Sequence, residues 1–243
     1  MSNRLFFVGD THGSIELKKL SRKNFSLMKE LSGDRSNVLI ICGDAGFMWD
    51  NSNETKYWDD WTENLGITVL SCFGNHCNYT AIRALPPEEW NGGIIRRIRP
   101  HVMYLENGEL FNICGHTIFV QGGATSIDKV YRKEGKSWWP QEIPSRAELE
   151  HAAETLERAN FNVDIILSHT APNSMINKID EFYPRYDDVT NFLEKFVYSQ
   201  TTYKHGFCGH FHIDKTIPDK NFHFLYNDII ELLPNNEIKV VNN

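Results

Sequence analysis

The sequence predicts an α/β fold built on a largely parallel sheet, and three observations carry that expectation. Short apolar runs rich in β-branched or aromatic residues read as buried strands at 5–8, 38–42, 68–73, 116–121, 163–167 and 204–208. Segments with helical spacing lie between several of them. Asp10, Asp44 and Asn75 each follow such a run, at intervals of roughly 30 residues, the length of one strand–helix–strand unit. Successive motifs then lie side by side at the carboxyl ends of neighbouring strands, where open α/β sheets build their sites.

The helical segments follow from spacing and capping. Ser145 and Glu148 form a capping box ahead of Leu149, Ala152, Ala153 and Leu156, which recur at helical intervals. Val189, Phe192, Leu193, Phe196 and Val197 repeat the pattern with a cleaner apolar face. Tyr57, Trp58, Trp61 and Leu65 predict an aromatic-faced helix, and a looser one is expected over 14–31. All these stripes read as core packing. Asn107-Gly108, between apolar runs at 102–105 and 110–113, predicts a two-residue hairpin. That hairpin and the later strands would add antiparallel pairs to the parallel core. No internal repeat or Pro/Gly/Ser linker divides the chain, so residues 1–243 are expected to form a single domain.

Composition narrows the function classes. The 243 residues are 41% hydrophobic and 23% charged, as in ordinary globular proteins. A net charge of −7 argues against a general nucleic-acid-coating surface, which needs a basic excess. It leaves open a local phosphate site, because bound metals bring positive charge of their own. No apolar run approaches the ~20 residues of a membrane helix, and no charged-then-apolar leader opens the chain. The five cysteines lack paired metal spacing; Cys42, Cys72, Cys114 and Cys208 sit at or near the ends of apolar runs, as small buried hydrophobes do. A reducing, cytoplasmic compartment is expected.

The chemistry is concentrated in five short clusters: Asp10-Thr11-His12, Gly43-Asp44, Gly74-Asn75-His76, His169 and Gly209-His210-Phe211-His212. Together they supply carboxylate, amide and imidazole donors, the mixed oxygen and nitrogen set that suits divalent metals. Two metals about 3.5–4 Å apart can hold a phosphoryl group and activate the attacking water. Such a pair needs a carboxylate that reaches both ions, and Asp44, preceded by a glycine, is the candidate. Asn75 is informative because an amide oxygen is a feeble ligand, yet it stands at a strand end between Gly74 and His76.

In this order, from residue 9 to residue 212, the motifs resemble the calcineurin-like metallophosphoesterase superfamily. The resemblance implies a four-layer αββα sandwich with two central mixed β-sheets and a site at one end of them. It implies one metal held by Asp10, His12, Asp44 and His212, and a second held by Asp44, Asn75, His169 and His210. A hydroxide bridging the two would attack phosphorus in line. His76 corresponds to a non-ligand histidine that positions phosphate and protonates the leaving group. Two departures stand out. Cys77 occupies the position after that histidine where an acidic residue is common, so the support for a raised imidazole pKa is missing. Ala45-Gly46-Phe47-Met48-Trp49 replaces the arginine-bearing sequence of the family's protein phosphatases, which counts against a phosphoprotein substrate.

Other candidates lie outside the motifs. The segment 125–144 is polar and aromatic; it reads either as a substrate-covering loop, with Arg132 or Lys136 on phosphate and Trp138 on an organic group, or as a surface loop pinned by Trp138 and Trp139. Tyr183, Arg185 and Tyr186 form a weaker patch of the same kind. Arg96, Arg97 and Arg99 read as a solvated strand edge rather than a nucleic-acid contact. His101, His116, His151, His205 and His223 fall in no motif and read as surface or satisfied core residues.

The sequence therefore predicts a phosphoesterase using two divalent ions, with Mn, Fe, Zn and Co all compatible with a thiolate-free ligand set. A small phosphodiester or nucleotide-type substrate is preferred over polymeric nucleic acid, and no membrane partner is expected; the oligomeric state is left open. The competing classes are a silent scaffold that binds a partner protein and a nuclease acting on DNA or RNA.

Overall fold

Fourteen strands among the described residues sort into two mixed sheets. The computed structural model describes residues 3–180 and 187–242. In chain order the strands are β1 (Leu5–Val8), β2 (Val38–Ile41), β3 (Thr68–Ser71), β4 (Pro87–Trp90), β5 (Gly93–Arg99), β6 (Val102–Leu105) and β7 (Glu109–Ile113), followed by β8 (His116–Gln121), β9 (Ile165–Ser168), β10 (His205–Cys208), β11 (Lys215–Ile217), β12 (Phe222–Phe224), β13 (Ile229–Leu232) and β14 (Ile238–Val240). The helices are α1 (Met28–Leu31), α2 (Asn53–Glu63), α3 (Tyr79–Arg83), α4 (Arg146–Arg158), α5 (Asn173–Ile176) and α6 (Asp188–Phe192). One sheet runs β14-β13-β1-β2-β3-β6-β5-β4 and the other β11-β12-β10-β9-β8-β7. Each has four parallel strands at its centre and antiparallel strands outside them.

Side-chain alternation along the strands produces the layers. In β1, Leu5 and Phe7 enter a core between the sheets, where Phe7 stacks on Phe207 at 3.9 Å. Phe6 and Val8 point the other way, into a second core with Leu17, Met28 and Ile82 from the helical side. The outer face of the smaller sheet packs Phe119 and Ile166 against Leu156, Met175 and Val189. The result is the αββα sandwich expected from the motifs.

The predicted 107–108 hairpin is not one. β6 and β7 belong to different sheets, because both flanks of β6 are already taken by β3 and β5. The dipeptide instead turns the chain from one sheet to the other. Asn107 Oδ1 accepts from Gly122 N–H, and Gly108 N–H donates to the Val120 carbonyl. Two-residue hairpins occur at Asn91-Gly92 and Cys114-Gly115, where both residues of each have the positive φ such turns need.

The loose helix over 14–31 also resolves differently. A 3-10 turn at Leu17–Leu20 stops at Ser21, which is extended, and α1 is a separate short helix. In α2 the fully buried residues are Asp59 and Thr62, whereas Trp58 and Trp61 are half-buried and Tyr57 is 59% exposed. Leu65 lies beyond the end of that helix. The capping box of α4 forms as expected, and the apolar stripe from Val189 continues from α6 into a π-helical turn at Leu193–Tyr198. Arg96, Arg97 and Arg99 pair with Glu106, Glu88 and Asp60. Among the described residues no helix is long and apolar enough to cross a membrane.

Candidate metal centre

The five clusters meet in one place because they follow the carboxyl ends of parallel strands in both sheets. Asp10 comes after β1, Asp44 after β2, Asn75 after β3, His169 after β9 and His210 after β10. The loops fold tightly there. His12, Asp44, His210 and His212 all have φ between 43° and 67°, a left-handed conformation that costs a non-glycine residue on the order of 1 kcal/mol or more. Four such residues in one nest mark a site where backbone strain is tolerated to aim side chains.

Both carboxylates are held the same way. Asp44 Oδ1 accepts from His76 N–H at 2.8 Å, and Asp10 Oδ1 accepts from His210 N–H at 2.9 Å. Glycines permit these close approaches: a Cβ on Gly74 would lie 2.1 Å from Asp44 Oδ1, and one on Gly209 would lie 2.0 Å from Asp10 Oδ1. The Oδ2 atoms therefore turn inward. Asp44 Oδ2 is 3.6 Å from His12 Nε2 and 3.3 Å from His169 Nε2. Asp10 Oδ2 is 3.1 Å from His212 Nε2 and 3.9 Å from His12 Nε2.

The donor chemistry fits a cation. His169 Nδ1 lies 2.8 Å from the Cys42 carbonyl, which can only accept, so Nδ1 carries the proton. In the neutral ring Nε2 is then a lone pair, yet it faces Asn75 Oδ1 at 2.9 Å and Asp44 Oδ2. Asn75 cannot relieve this, because its Nδ2 donates to Ser126 Oγ at 3.1 Å. Its Oδ1 also faces His210 Nδ1 at 3.0 Å. Acceptors converging on acceptors in a buried nest require positive charge between them. Groups Asp10–His12–His212, Asp10–Asp44–His169 and His12–Asp44–His76 each bring donor atoms within 4.8 Å of one another.

Electrostatics points the same way. Burial works against a charged His169, but Asp44 and Asp10 push it up to about 9. His12, also opposed by burial, is raised to about 9 by Asp44 and Asp10. Burial would raise the pKa of Asp44; His169 and His12 hold it well below the usual carboxylate range. His210 goes the other way, to about 3, through burial and the neighbouring His169. Divalent ions would replace the protons that these carboxylates otherwise hold on the imidazoles.

His76 stands at the edge of the nest with different neighbours. Its pKa is lowered, first by burial and also by Arg132, whose Nη2 is 3.3 Å from His76 Nε2. A guanidinium only donates, so the neutral ring accepts from it. Cys77 is buried; its Sγ accepts from Gly74 N–H at 3.2 Å and lies 3.7 Å from Tyr104 Oη. Burial pushes the thiol up to about 12, so it braces the Gly74 turn as a neutral group.

A cleft of about 650 Å³ opens beside the centre, lined by His12, His76 and His212 together with Arg132. Of the three candidate substrate contacts among the described residues, Arg132 alone lines it. Lys136 is exposed and Trp138 is buried under the Lys129 ammonium, 4.0 Å from its ring; neither lines the cleft. Arg185, with Tyr183 and Tyr186, lies outside the described residues. Segment 125–144 combines both readings of it: Trp139 is pinned in the core against Trp49, while Arg132 reaches the cleft. Sequence reasoning missed Ser126 and Glu142. Ser126 Oγ donates to Glu142 Oε2 at 2.5 Å while accepting from Asn75, a bond no local spacing signals. It also missed Trp49 and Trp58 as cleft walls, although Trp49 follows the Asp44 motif closely.

Strand-end carboxylates sharing oxygen atoms among imidazoles, within an αββα sandwich, define a metal-dependent phosphoesterase. Residues 4–214 match the calcineurin-like phosphoesterase family model, and the chain belongs to that family. The crystal structure of TT1561 from Thermus thermophilus shares the fold at TM-score 0.54 and 10% identity, the match covering 100% of this chain and 99% of that one. The sulfate thiohydrolase SoxB of Thermus thermophilus, solved in complex with glycerol, aligns at TM-score 0.45 and 12% identity over 99% of this chain and 56% of that one; the likeness is too loose to inform function. No curated protein matches the chain.

Proposed function

We propose that the chain hydrolyses a small phosphoester, of phosphodiester or nucleotide type, with two divalent ions held by Asp10, His12, Asp44 and His212 and by Asp44, Asn75, His169 and His210. The observation that carries this reading is Asp44 Oδ2, which lies between His12 Nε2 at 3.6 Å and His169 Nε2 at 3.3 Å. One carboxylate oxygen thus serves two separate donor sets. When bound, the ions would polarise the phosphoryl oxygens and make water nucleophilic near neutral pH.

The chain's own groups do the rest. Main-chain N–H groups fix both carboxylates, the Cys42 carbonyl fixes the His169 tautomer, and Ser126 fixes the Asn75 amide. Arg132, held bidentate by Asp128 at 2.6 Å, presents its guanidinium to phosphate in the cleft, a role the sequence after Asp44 does not fill. His76 orients the phosphate with Arg132; with the guanidinium drawn onto phosphate, its freed Nε2 would take up a proton from solvent and pass it to the leaving oxygen. Manganese is the first ion to test, and a cytoplasmic setting suits five cysteines that are all free thiols.

The test is turnover of bis(p-nitrophenyl) phosphate, p-nitrophenyl phosphate, plasmid and oligonucleotide by chelator-stripped protein, before and after manganese addition. Metal-dependent hydrolysis of the small esters, with the polymers left intact, is expected. Metal binding without hydrolysis of any ester would replace this reading with a partner-binding scaffold. Preferential, strongly salt-dependent cutting of the polymers would replace it with a nuclease.

A further inference from the structure

We infer that the cleft selects phosphoesters carrying one phosphate on a flat, unsaturated organic group, with Trp49, Trp58 and Glu54 as the selecting residues. The inference rests on the proposed function, since it takes the metal centre as the phosphate end of the cleft. From that end the lining continues into a wall supplied by the segment 49–58.

Two half-buried indoles dominate this wall. Trp49 meets Trp139 edge to face at 5.4 Å, and Trp139 is itself buried in the core. Trp58 meets Trp61 at 5.4 Å and Tyr57 at 5.3 Å, both edge to face. Rings braced in this way are ordered before a ligand arrives, so stacking costs little side-chain entropy. The exposed Ile15 extends the apolar lining.

Charge decides what else the organic group can carry. Among the described lining residues, Arg132 is the one Lys or Arg, and Asp128 already pairs with it. Three carboxylates line the same space: Glu16, Asp50 and Glu54. Asp50 is fixed by bonds from Ser52 N–H at 2.9 Å and Thr55 Oγ1 at 2.6 Å, and Glu16 is held against His12 at 3.2 Å. A second phosphate reaching this wall would meet these three carboxylates against one ammonium, that of Lys18, 5.7 Å from the Trp58 ring centre. Hydroxyl or amino donors on a ring would meet acceptors there. The wall therefore admits an aromatic or nucleoside-like group and rejects polyphosphates.

Non-hydrolysable phosphonates test this apart from turnover. Calorimetric affinities of the manganese-loaded protein should be about tenfold tighter for phenylphosphonate than for methylphosphonate, the scale of one aromatic stack. Trp49→Ala and Trp58→Ala should each bring that ratio toward one. A phenyl ring carrying a second phosphonate in the para position should bind several-fold more weakly than phenylphosphonate, and Glu54→Lys should reverse the order. Equal affinity for phenyl- and methylphosphonate in the wild type, or tighter binding of the bisphosphonate, overturns the inference. Loss of hydrolysis in the ester panel bears on the proposed function, whereas these affinity ratios bear on the wall alone.

Discussion

Strand β10 has histidines at its amino end and just past its carboxyl end; burial lowers the pKa of His223 at one end and of His210 at the other, but their surroundings differ. At its amino end His205 lies 3.2 Å from His223 and 2.8 Å from the Asn236 carbonyl, with Thr216 bonded to the far side of His223. No carboxylate faces the pair among these contacts, and burial, then His205, drives His223 down to about 4. Past the carboxyl end, His212 meets Asp10 and His210 meets Asn75 and His169. There the carboxylates of two other strand ends raise His12 and His169 to about 9. A buried imidazole reads as core when its neighbours are neutral, and as a candidate ligand when carboxylates and an amide oxygen converge around it. Strand direction decides which, because the parallel centres of both sheets deliver their following loops to the same pole.

The contrast breaks first at Asp44. Asp44→Asn should lower both metal occupancy and turnover by at least about a hundredfold, beyond the usual cost of losing a mere supporting contact. Full occupancy with a normal rate would remove its shared role. His76→Gln comes next. It should keep metal content, cut hydrolysis of an alkyl ester about a hundredfold and spare an activated nitrophenyl ester, since a general acid matters most to poor leaving groups. Equal losses on both esters would leave His76 with phosphate positioning only.

Two smaller effects sharpen the comparison. Glu142→Gln should loosen the Ser126 hydroxyl that holds Asn75 and weaken manganese binding about tenfold, measured by titration calorimetry. At the other pole the effect is on stability. His223 has a folded pKa near 4 against an ordinary 6.5, so the unfolded chain binds its proton more tightly. The contribution is complete above pH 6.5 and drains as pH falls toward 4. Between pH 7 and pH 5.5 that is about 1 kcal/mol, readable by urea unfolding. His223→Phe should flatten this slope and leave turnover at pH 7 unchanged; an unaltered slope would assign the titration elsewhere.

Much of the site pole was legible because short-range rules govern it. Each motif places a donor just past an apolar run, so strand periodicity alone puts Asp10, Asp44 and Asn75 at one edge of the sheet. What stayed hidden depends on contacts distant in sequence. Asn107-Gly108 carries the local chemistry of a hairpin, but β6 had no free flank for β7, so tertiary pairing redirected it. Asn91-Gly92 has the same chemistry and does form a hairpin, so the dipeptide alone cannot separate the two cases. Ser126 meets Asn75 across 51 positions, and Arg132 meets His76 across 56. Trp58 sits on a helix whose fully buried positions are polar; the stripe packs against the core through Trp58, Trp61 and Leu65 as expected, and Trp58 in addition lines the cleft, which no local spacing signals.

The most direct measurement is a manganese titration of chelator-stripped protein, following hydrolysis of bis(p-nitrophenyl) phosphate and bound metal together. If Asp44 joins two donor sets, activity should rise to a break at two ions per chain and vanish again on chelation. A break at one ion per chain, or full turnover without metal, would contradict the shared-carboxylate centre.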